Sequence, residues 1–346
     1  MSRRLLQAIA GAPHGGAEVF FVRLAGALQR AGEAQRVLLR RHAERGAALR
    51  AAGVRCRELR FGGPLDVMTR LAFRREIEAY RPTIVLTWMS RATASCPTGD
   101  FVHVGRLGGY YDLKYYRRCE HLIGNTRAIV DYAVAHGWPA GSVHYLPNFV
   151  PDRAAPPQPR DAFATPDERP LAVALARLHP NKGLDILLRA LAMVPRLHLW
   201  IAGEGPERGR LTDLARELGL NERVRFLGWQ QNVAPLLAAA DIVVCPSRHE
   251  PLGNVVIEGW AASRPIVALA SDGPRGLIAH GETGLLVPLE GEAGGGASGL
   301  AAALREAAND PDLRARLGRG GRRAYEAEFT EAAVVGRYRR FFDEIG

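Results

Sequence analysis

Asp241-Ile-Val-Val-Cys-Pro-Ser-Arg-His-Glu-Pro-Leu-Gly-Asn-Val-Val-Ile-Glu-Gly-Trp-Ala261 divides into three consecutive pieces. Residues 241–247 are an apolar, β-branched run into a turn, as in a strand buried on both faces, and residues 252–262 carry apolar side chains at helical spacing. Strand, loop and helix in that order make one winding unit of an α/β sheet. Glu250 falls in the loop and Glu258 on the helix, with seven residues between them. The helix start offers free backbone N–H groups, and Gly253 leaves the approach to them open, which together make a site for phosphate. A single glutamate before a helix is commonly only a cap or a solvated charge; the whole string points further, to a phosphate-bearing ligand.

The same grammar extends to both sides. Before the opening stretch come a strand at 171–175, a helix over 183–193, a strand at 197–202, the glycine turn Gly203-Glu-Gly-Pro206, a helix to residue 218 and a strand at 224–226; after it come strands at 265–268 and 285–287. In the first half a strand at 4–10 runs into Gly11-Ala-Pro-His-Gly-Gly-Ala-Glu18, then a helical pattern over 19–31, the opening unit of a doubly wound sheet. Further strands are expected at 35–40, 55–59, 83–88, 101–105, 121–124 and 143–146. Six prolines fall between residues 151 and 170, where periodicity is lost, and mark a linker. The expected organisation is a domain over 1–150, a linker over 151–170, a second domain over 171–330 and a terminal helix over 331–346. Val335, Tyr338, Phe342 and Ile345 lie on one face of that helix, which is expected to pack back on the body. Five glycines within residues 291–299 predict a mobile surface loop.

At 346 residues the chain has room for two cores. Cys56, Cys96, Cys119 and Cys245 have neither metal-ligand nor disulfide-framework spacing and read as packing residues of a reducing compartment. The apolar run after Arg3 and Arg4 breaks at Gln7, short of a signal peptide, and no stretch has the length of a membrane span. A cytoplasmic protein is the expectation. Charge is uneven: residues 1–150 hold 22 Lys and Arg against 11 Asp and Glu, whereas residues 151–346 hold 24 against 25. The first half is thus expected to meet something anionic, a phosphorylated substrate or a membrane surface, unless the arginines are only a solvated face. Nucleic acid is not expected, because no recognised binding motif is present.

Gly203-Glu-Gly205 with Gly209 departs from the dinucleotide spacing, and no acidic residue ends the next strand, which argues against a nicotinamide or flavin enzyme. Ala176-Arg-Leu-His-Pro-Asn-Lys-Gly183 follows a strand and opens a helix, so that Arg177 and Lys182 can reach a diphosphate, one as a planar fork and one as a point charge.

Five strings in order, namely Ala176-Arg-Leu-His-Pro-Asn-Lys-Gly183, Ala202-Gly-Glu-Gly-Pro206, Val224-Arg-Phe-Leu-Gly-Trp229, Pro246-Ser-Arg-His-Glu-Pro-Leu-Gly-Asn-Val-Val-Ile-Glu258 and His280-Gly-Glu-Thr-Gly-Leu-Leu-Val-Pro288, resemble the retaining family-4 glycosyltransferases of GT-B fold. Arg106-Leu-Gly-Gly-Tyr-Tyr-Asp-Leu-Lys-Tyr-Tyr116 and Leu122-Ile-Gly-Asn-Thr126 are similar to bacterial members that build the lipopolysaccharide core. The resemblance implies two Rossmann-like, doubly wound domains facing across a cleft. It implies that Arg177 and Lys182 hold the donor diphosphate, that Glu258 binds the ribose, that Glu250 contacts the sugar near its anomeric centre, and that amides around Leu252, Gly253, Asn254 and Val255 face the phosphate. Gly15 and Gly16 match the first-domain glycine turn that closes on the diphosphate, and the base rests near Gly205 and residues 229–230. His103, on the strand at 101–105, matches a histidine that contacts the sugar in many members; Asp112 is its rival and His14 stands behind both. A core histidine and a helix-start cap are the bland alternatives for the first two.

These parts suit the chemistry. Breaking the sugar–phosphate bond develops negative charge on the leaving group, which fixed cations and helix amides stabilise. Neither a metal nor a cofactor is implied. Retention by double displacement needs a carboxylate nucleophile, for which Glu250 is not evidently placed, and front-face attack is preferred. The expected partners are a UDP-, GDP- or ADP-sugar donor, an anionic glycan or glycolipid acceptor, and the inner membrane surface. A GT-B nucleotide-sugar epimerase lacks these strings. A silent nucleotide-sugar-binding subunit should have lost Glu250 or Lys182, and both are here. One departure stands out: where many relatives carry an acidic residue after the strand at 265–268, this chain has Arg275 and Gly276.

Overall fold

The structure, a computed structural model, describes residues 3–12, 15–63, 66–152, 154–289 and 291–346. His14 lies outside the described residues. In chain order the elements are β1 (Leu5–Ile9), α1 (Gly16–Arg30), β2 (Gln35–Arg40), α2 (Ala43–Ala51), β3 (Arg55–Leu59), α3 (Val67–Tyr80), β4 (Ile84–Trp88), α4 (Met89–Ser95), β5 (Val102–Leu107), β6 (His121–Gly124), α5 (Arg127–Ala135) and β7 (Val143–Tyr145). Then follow β8 (Leu171–Leu175), α6 (Leu184–Ala192), β9 (His198–Ala202), α7 (Arg208–Glu217), β10 (Val224–Gly228), α8 (Ala234–Ala239), β11 (Ile242–Cys245), α9 (Asn254–Ala261), β12 (Ile266–Leu269), α10 (Asp272–Leu277), β13 (Leu285–Val287), α11 (Gly296–Asn309), α12 (Pro311–Glu328) and α13 (Glu331–Ile345).

The chain divides into two compact units, the first of Met1–Phe149 with Glu331–Gly346 and the second of Val150–Thr330. The first holds a seven-stranded parallel sheet in the order β3-β2-β1-β4-β5-β6-β7, and the second a six-stranded one in the order β10-β9-β8-β11-β12-β13. Both are doubly wound Rossmann-like sheets, so the strand order reverses once in each, at β1/β4 and at β8/β11. Ligands of such sheets bind at the carboxyl ends of the two strands flanking that reversal.

In the second unit, β8, β9, β11 and β12 are fully or almost fully buried apolar runs, because helices cover both sheet faces. One face packs on α6, whose Leu184, Leu187, Leu188 and Leu191 are at most 1% exposed, and on α11; the other packs on α9 through Val256, Ile257 and Trp260. In the first unit, β1 reads Leu-Leu-Gln-Ala-Ile and is wholly buried. Gln7 is tolerated there because its Nε2 donates to Gln35 Oε1 at 2.9 Å while its Oε1 accepts from Trp88 Nε1 at 3.1 Å. The last helix, α13, joins this unit's core through Val334, Val335, Tyr338, Phe341 and Phe342. Its Tyr338 hydroxyl accepts a 2.9 Å bond from Nε of Arg106, a guanidinium only 2% exposed.

The glycine-rich stretch at 291–299 departs from expectation. Only its first half is a turn; α11 begins at Gly296. A Cβ at Gly295 would lie 2.1 Å from the Leu289 carbonyl oxygen, and one at Gly299 1.9 Å from that of Gly294, so these glycines serve close packing at a helix start. Among the described residues no helix is long and apolar enough to cross a membrane.

Candidate functional site

In the second unit the two strands at the reversal pair only through Ile242 with Ala172 and Val243 with Val173. Beyond these residues β8 and β11 separate, and each runs into a loop at its carboxyl end. The loop after β8 carries Arg177 and Lys182, and the loop after β11 carries Glu250. Sheet topology alone therefore brings these three to one end of one sheet.

The two loops interlock. Gly183 takes φ +60° and lies so close to the Pro246 carbonyl that a Cβ there would stand 2.0 Å from its oxygen. The His249 N–H donates to the Asn181 carbonyl at 3.1 Å. Arg248 lays its fork on Asp185, Nη1 to Oδ1 at 2.6 Å and Nη2 to Oδ2 at 2.9 Å, and Nη1 also reaches the Pro180 carbonyl at 3.3 Å. That fork holds the Asp185 carboxyl below the usual carboxylate range. Lys182 Nζ pairs directly with Glu250 Oε2, and both side chains are largely shielded from solvent.

Glu250 also holds the turn that starts α9. Its Oε1 accepts from the Gly253 N–H at 3.3 Å, and its backbone carbonyl accepts from the Gly273 N–H at 2.7 Å. Gly253, at φ +82°, is the N-cap residue of α9, and no side chain caps that helix. Asn254 and Val255 thus present first-turn amides on the side where Lys182 and Glu250 meet. Leu252 is buried beneath them, and Glu258 stands one turn further along the helix, half-buried. Arg177 is exposed and, among the described residues, makes no hydrogen bond or ion pair. Gly205 tucks against the Leu178 backbone, whose carbonyl accepts from the Glu207 N–H at 3.1 Å. Trp229, at the carboxyl end of β10, is 74% exposed.

The first unit has its own arrangement at the carboxyl end of β1. Gly15 is the N-cap of α1 and Gly16 its first residue. Glu18, 4% exposed, turns back so that its Oε1 accepts from the Ala12 N–H at 2.7 Å, while Arg45 Nη2 donates to the Ala12 carbonyl at 2.8 Å. Gly108, just past β5, is the neighbour of Ala17, which puts the loop carrying Asp112 beside this turn. Asp112 is half-exposed; it accepts from the Lys114 N–H at 3.0 Å and pairs with Lys114 Nζ at 2.6 Å, an interaction that lowers its pKa. It caps the 3-10 turn over Leu113–Tyr116.

His103 is not brought to that end. It is the second residue of β5, 4% exposed, with Nε2 3.0 Å from the Thr87 hydroxyl, and burial pushes its pKa down to about 4. It is a neutral core histidine, too deep in the sheet to touch a ligand at the carboxyl ends. At the position of the acidic residue common in relatives, Arg275 is exposed and Gly276 has open space around it.

Sequence reasoning missed the Arg248–Asp185 fork and the Glu18–Arg45 brace. Asp185 lies within the first turn of a helix and Arg248 within a loop, so each alone looks solvated.

Comparison with known proteins agrees with the fold. The sequence model described as glycosyl transferases group 1 matches residues 157–324. The lipopolysaccharide core biosynthesis glycosyltransferase LpsD of Rhizobium meliloti is 36% identical over 338 residues, 95% of both chains, and LpsE of the same organism is 35% identical over 334 residues, 94% of both. Among solved structures, a glycosyltransferase from Rickettsia africae superposes with a TM-score of 0.87 at 16% identity, covering 99% of this chain and 98% of that one. Anabaena Alr3699/HepE in complex with UDP-glucose superposes with a TM-score of 0.82 at 19% identity, covering 99% of both.

Proposed function

This chain belongs to the glycosyl transferases group 1 family, and from that premise we propose that it moves a hexose-type sugar from a nucleotide-sugar donor to an anionic glycan or glycolipid, with retention, in lipopolysaccharide core or related cell-surface glycan synthesis. The observation that carries this reading is the Lys182–Glu250 pair beside the uncapped start of α9. An ammonium has three donors, so Lys182 can keep Glu250 and still meet a diphosphate oxygen. Arg177 supplies a second cation, and the amides of Asn254 and Val255, next to the Gly253 N–H that Glu250 engages, add donors as charge develops. Glu250 then faces the sugar and Glu258 the ribose, with the base over Gly205 and Trp229. The alignment of full-length relatives from core synthesis supports the acceptor class.

The reaction is read as front-face displacement. The bond from anomeric carbon to phosphate oxygen breaks, the acceptor oxygen attacks on the same face, and its proton passes to the departing phosphate oxygen. Lys182, Arg177 and the α9 amides stabilise the leaving nucleoside diphosphate, so chelators should leave the rate unchanged. The basic first unit is read as the side that meets an anionic inner-membrane surface and acceptor.

A thermal-shift panel of UDP-, GDP- and ADP-sugars identifies the donor class, since a ligand of the folded state raises its melting temperature. Slow hydrolysis of the matching nucleotide sugar, lost in Glu250→Ala and Arg177→Ala variants that melt normally, is the expected outcome. No binding of any nucleotide sugar by calorimetry would refute the reading.

A further inference from the structure

We propose that Arg248 and Asp185 form a positioning pair that sets the spacing of Lys182 and Glu250 for turnover, a role that rests on reading those two as donor contacts. The need for such a pair comes from the sheet. β8 and β11 stop pairing after Val173 and Val243, and the loops that follow are joined along the backbone by the His249 N–H to Asn181 carbonyl bond and the Gly183–Pro246 approach, which lie beside Lys182 and Glu250 but do not set their side chains. Lys182 and Glu250 sit on those separate loops, 68 residues apart in sequence.

The fork from Arg248 to Asp185 crosses the same gap. Arg248 is two residues before Glu250 and Asp185 three after Lys182, so the two ion pairs are successive rungs between the same two segments. The Arg248 rung is the rigid one: a bidentate guanidinium–carboxylate contact fixes both distance and angle, and a third bond to the Pro180 carbonyl holds the plane. Asp185 in turn is anchored in the first turn of α6, whose apolar face is buried in the sheet. The position of the β11 loop is thereby referred to a packed helix rather than to solvent.

Residue choice follows the same division. The chain contains 44 arginines and only two lysines, Lys114 and Lys182. The rung that braces carries the planar fork, and the rung that meets ligand carries a compact ammonium that can turn between partners. With its fork spent on Asp185, Arg248 is a positioning residue, and its loss should misplace Lys182 against Glu250. Misplacement by about 1 Å costs on the order of 100-fold in rate.

Two lysines make the test direct. Reductive methylation with 13C-formaldehyde places reporters at Lys114, Lys182 and the amino terminus, and Lys182→Arg assigns the second. In the ligand-free full chain, Arg248→Ala and Asp185→Asn should move the Lys182 resonance towards that of an exposed amine, and leave Lys114 unmoved. For whichever of UDP-glucose, GDP-mannose or ADP-glucose the wild type hydrolyses, kcat should fall about 100-fold with KM changed less than about threefold. Millimolar guanidinium should restore part of the kcat of Arg248→Ala, and the double variant should be no worse than either single one. An unmoved Lys182 signal in a folded Arg248→Ala protein overturns the proposal. So does a lower melting temperature with kcat within about twofold of wild type, which is the signature of a brace alone. If the wild type hydrolyses none of the sugars, the functional reading fails while the resonance arm still decides the clamp.

Discussion

At His103 the environment outranks the sequence match. Burial holds the ring neutral, with a pKa lowered to about 4 from 6.5. Because the folded value lies below the unfolded one, the unfolded chain binds the extra proton between pH 6.5 and 4, and stability falls as pH drops through that window. His103 should therefore make the protein about 2 kcal/mol less stable at pH 5 than at pH 8. His103→Asn should lose that part of the slope in urea melts at the two pH values, while donor hydrolysis stays near wild type; loss of hydrolysis with an unchanged slope would restore the ring to the site. Glu250 shows the converse case. From the sequence it could be a cap or a ligand contact, and the structure shows one carboxylate oxygen on the Gly253 N–H and the other on Lys182. No local pattern distinguishes these cases, because what separates them is that His103 lies inside a strand and Glu250 in the loop beyond a strand's carboxyl end.

Elements were legible where one physical signal dominated. β2, β3, β6, β8 and β13 stand at the expected residues because short apolar or alternating runs bounded by turns have few other solutions. The start of α11 was not legible, since glycine count cannot tell a loop from a close backbone approach. Nor was Arg106, which in an arginine-rich chain looks like one more solvated cation. It lies instead beneath α13, with Nη2 2.6 Å from Asn148 Oδ1 and its guanidinium over the rings of Trp88 and Phe20 at 4.3 and 4.9 Å. Those aromatic faces and neutral acceptors are what let the charge be buried. The bond from Arg106 to Tyr338 is therefore charge-assisted and dry, and Tyr338→Phe removes an acceptor without opening a cavity. A loss of about 2 kcal/mol is expected. It should appear as a lower urea midpoint at unchanged m, and a shift below about 0.5 kcal/mol would mean that the guanidinium finds another acceptor.

At the scale of the whole molecule, charge divides as the fold does. The terminal segment 331–346 adds three arginines and three acidic residues to the first unit, which leaves that unit at net +11 and the second at −1. A solvated basic face would give the same sum, so the distribution of apolar surface has to decide. The first turn of α3 exposes Val67 and Met68 at 68% and 64%, with Leu71 at 40% one turn on, and Arg70 and Arg75 stand exposed beside them. Apolar and cationic side chains together on one helix start suit the boundary of an anionic bilayer, where each Arg near the surface adds about 1 kcal/mol. Arg74 contributes less, since it is paired with Glu78 at 3.1 Å. α3 begins just beyond the carboxyl end of β3, the sheet end that also carries the glycine turn and Asp112, so a membrane met there would lie at the end where ligands of such sheets bind. The full chain should sediment with phosphatidylglycerol vesicles at 50 mM salt and release as ionic strength rises and the screening length falls below about 10 Å. Val67→Ser with Met68→Ser should weaken binding at every salt concentration, whereas Arg70→Glu with Arg75→Glu should mainly flatten the salt dependence. Equal binding to neutral phosphatidylcholine vesicles, or no binding to either, would return the excess charge to a solvated surface.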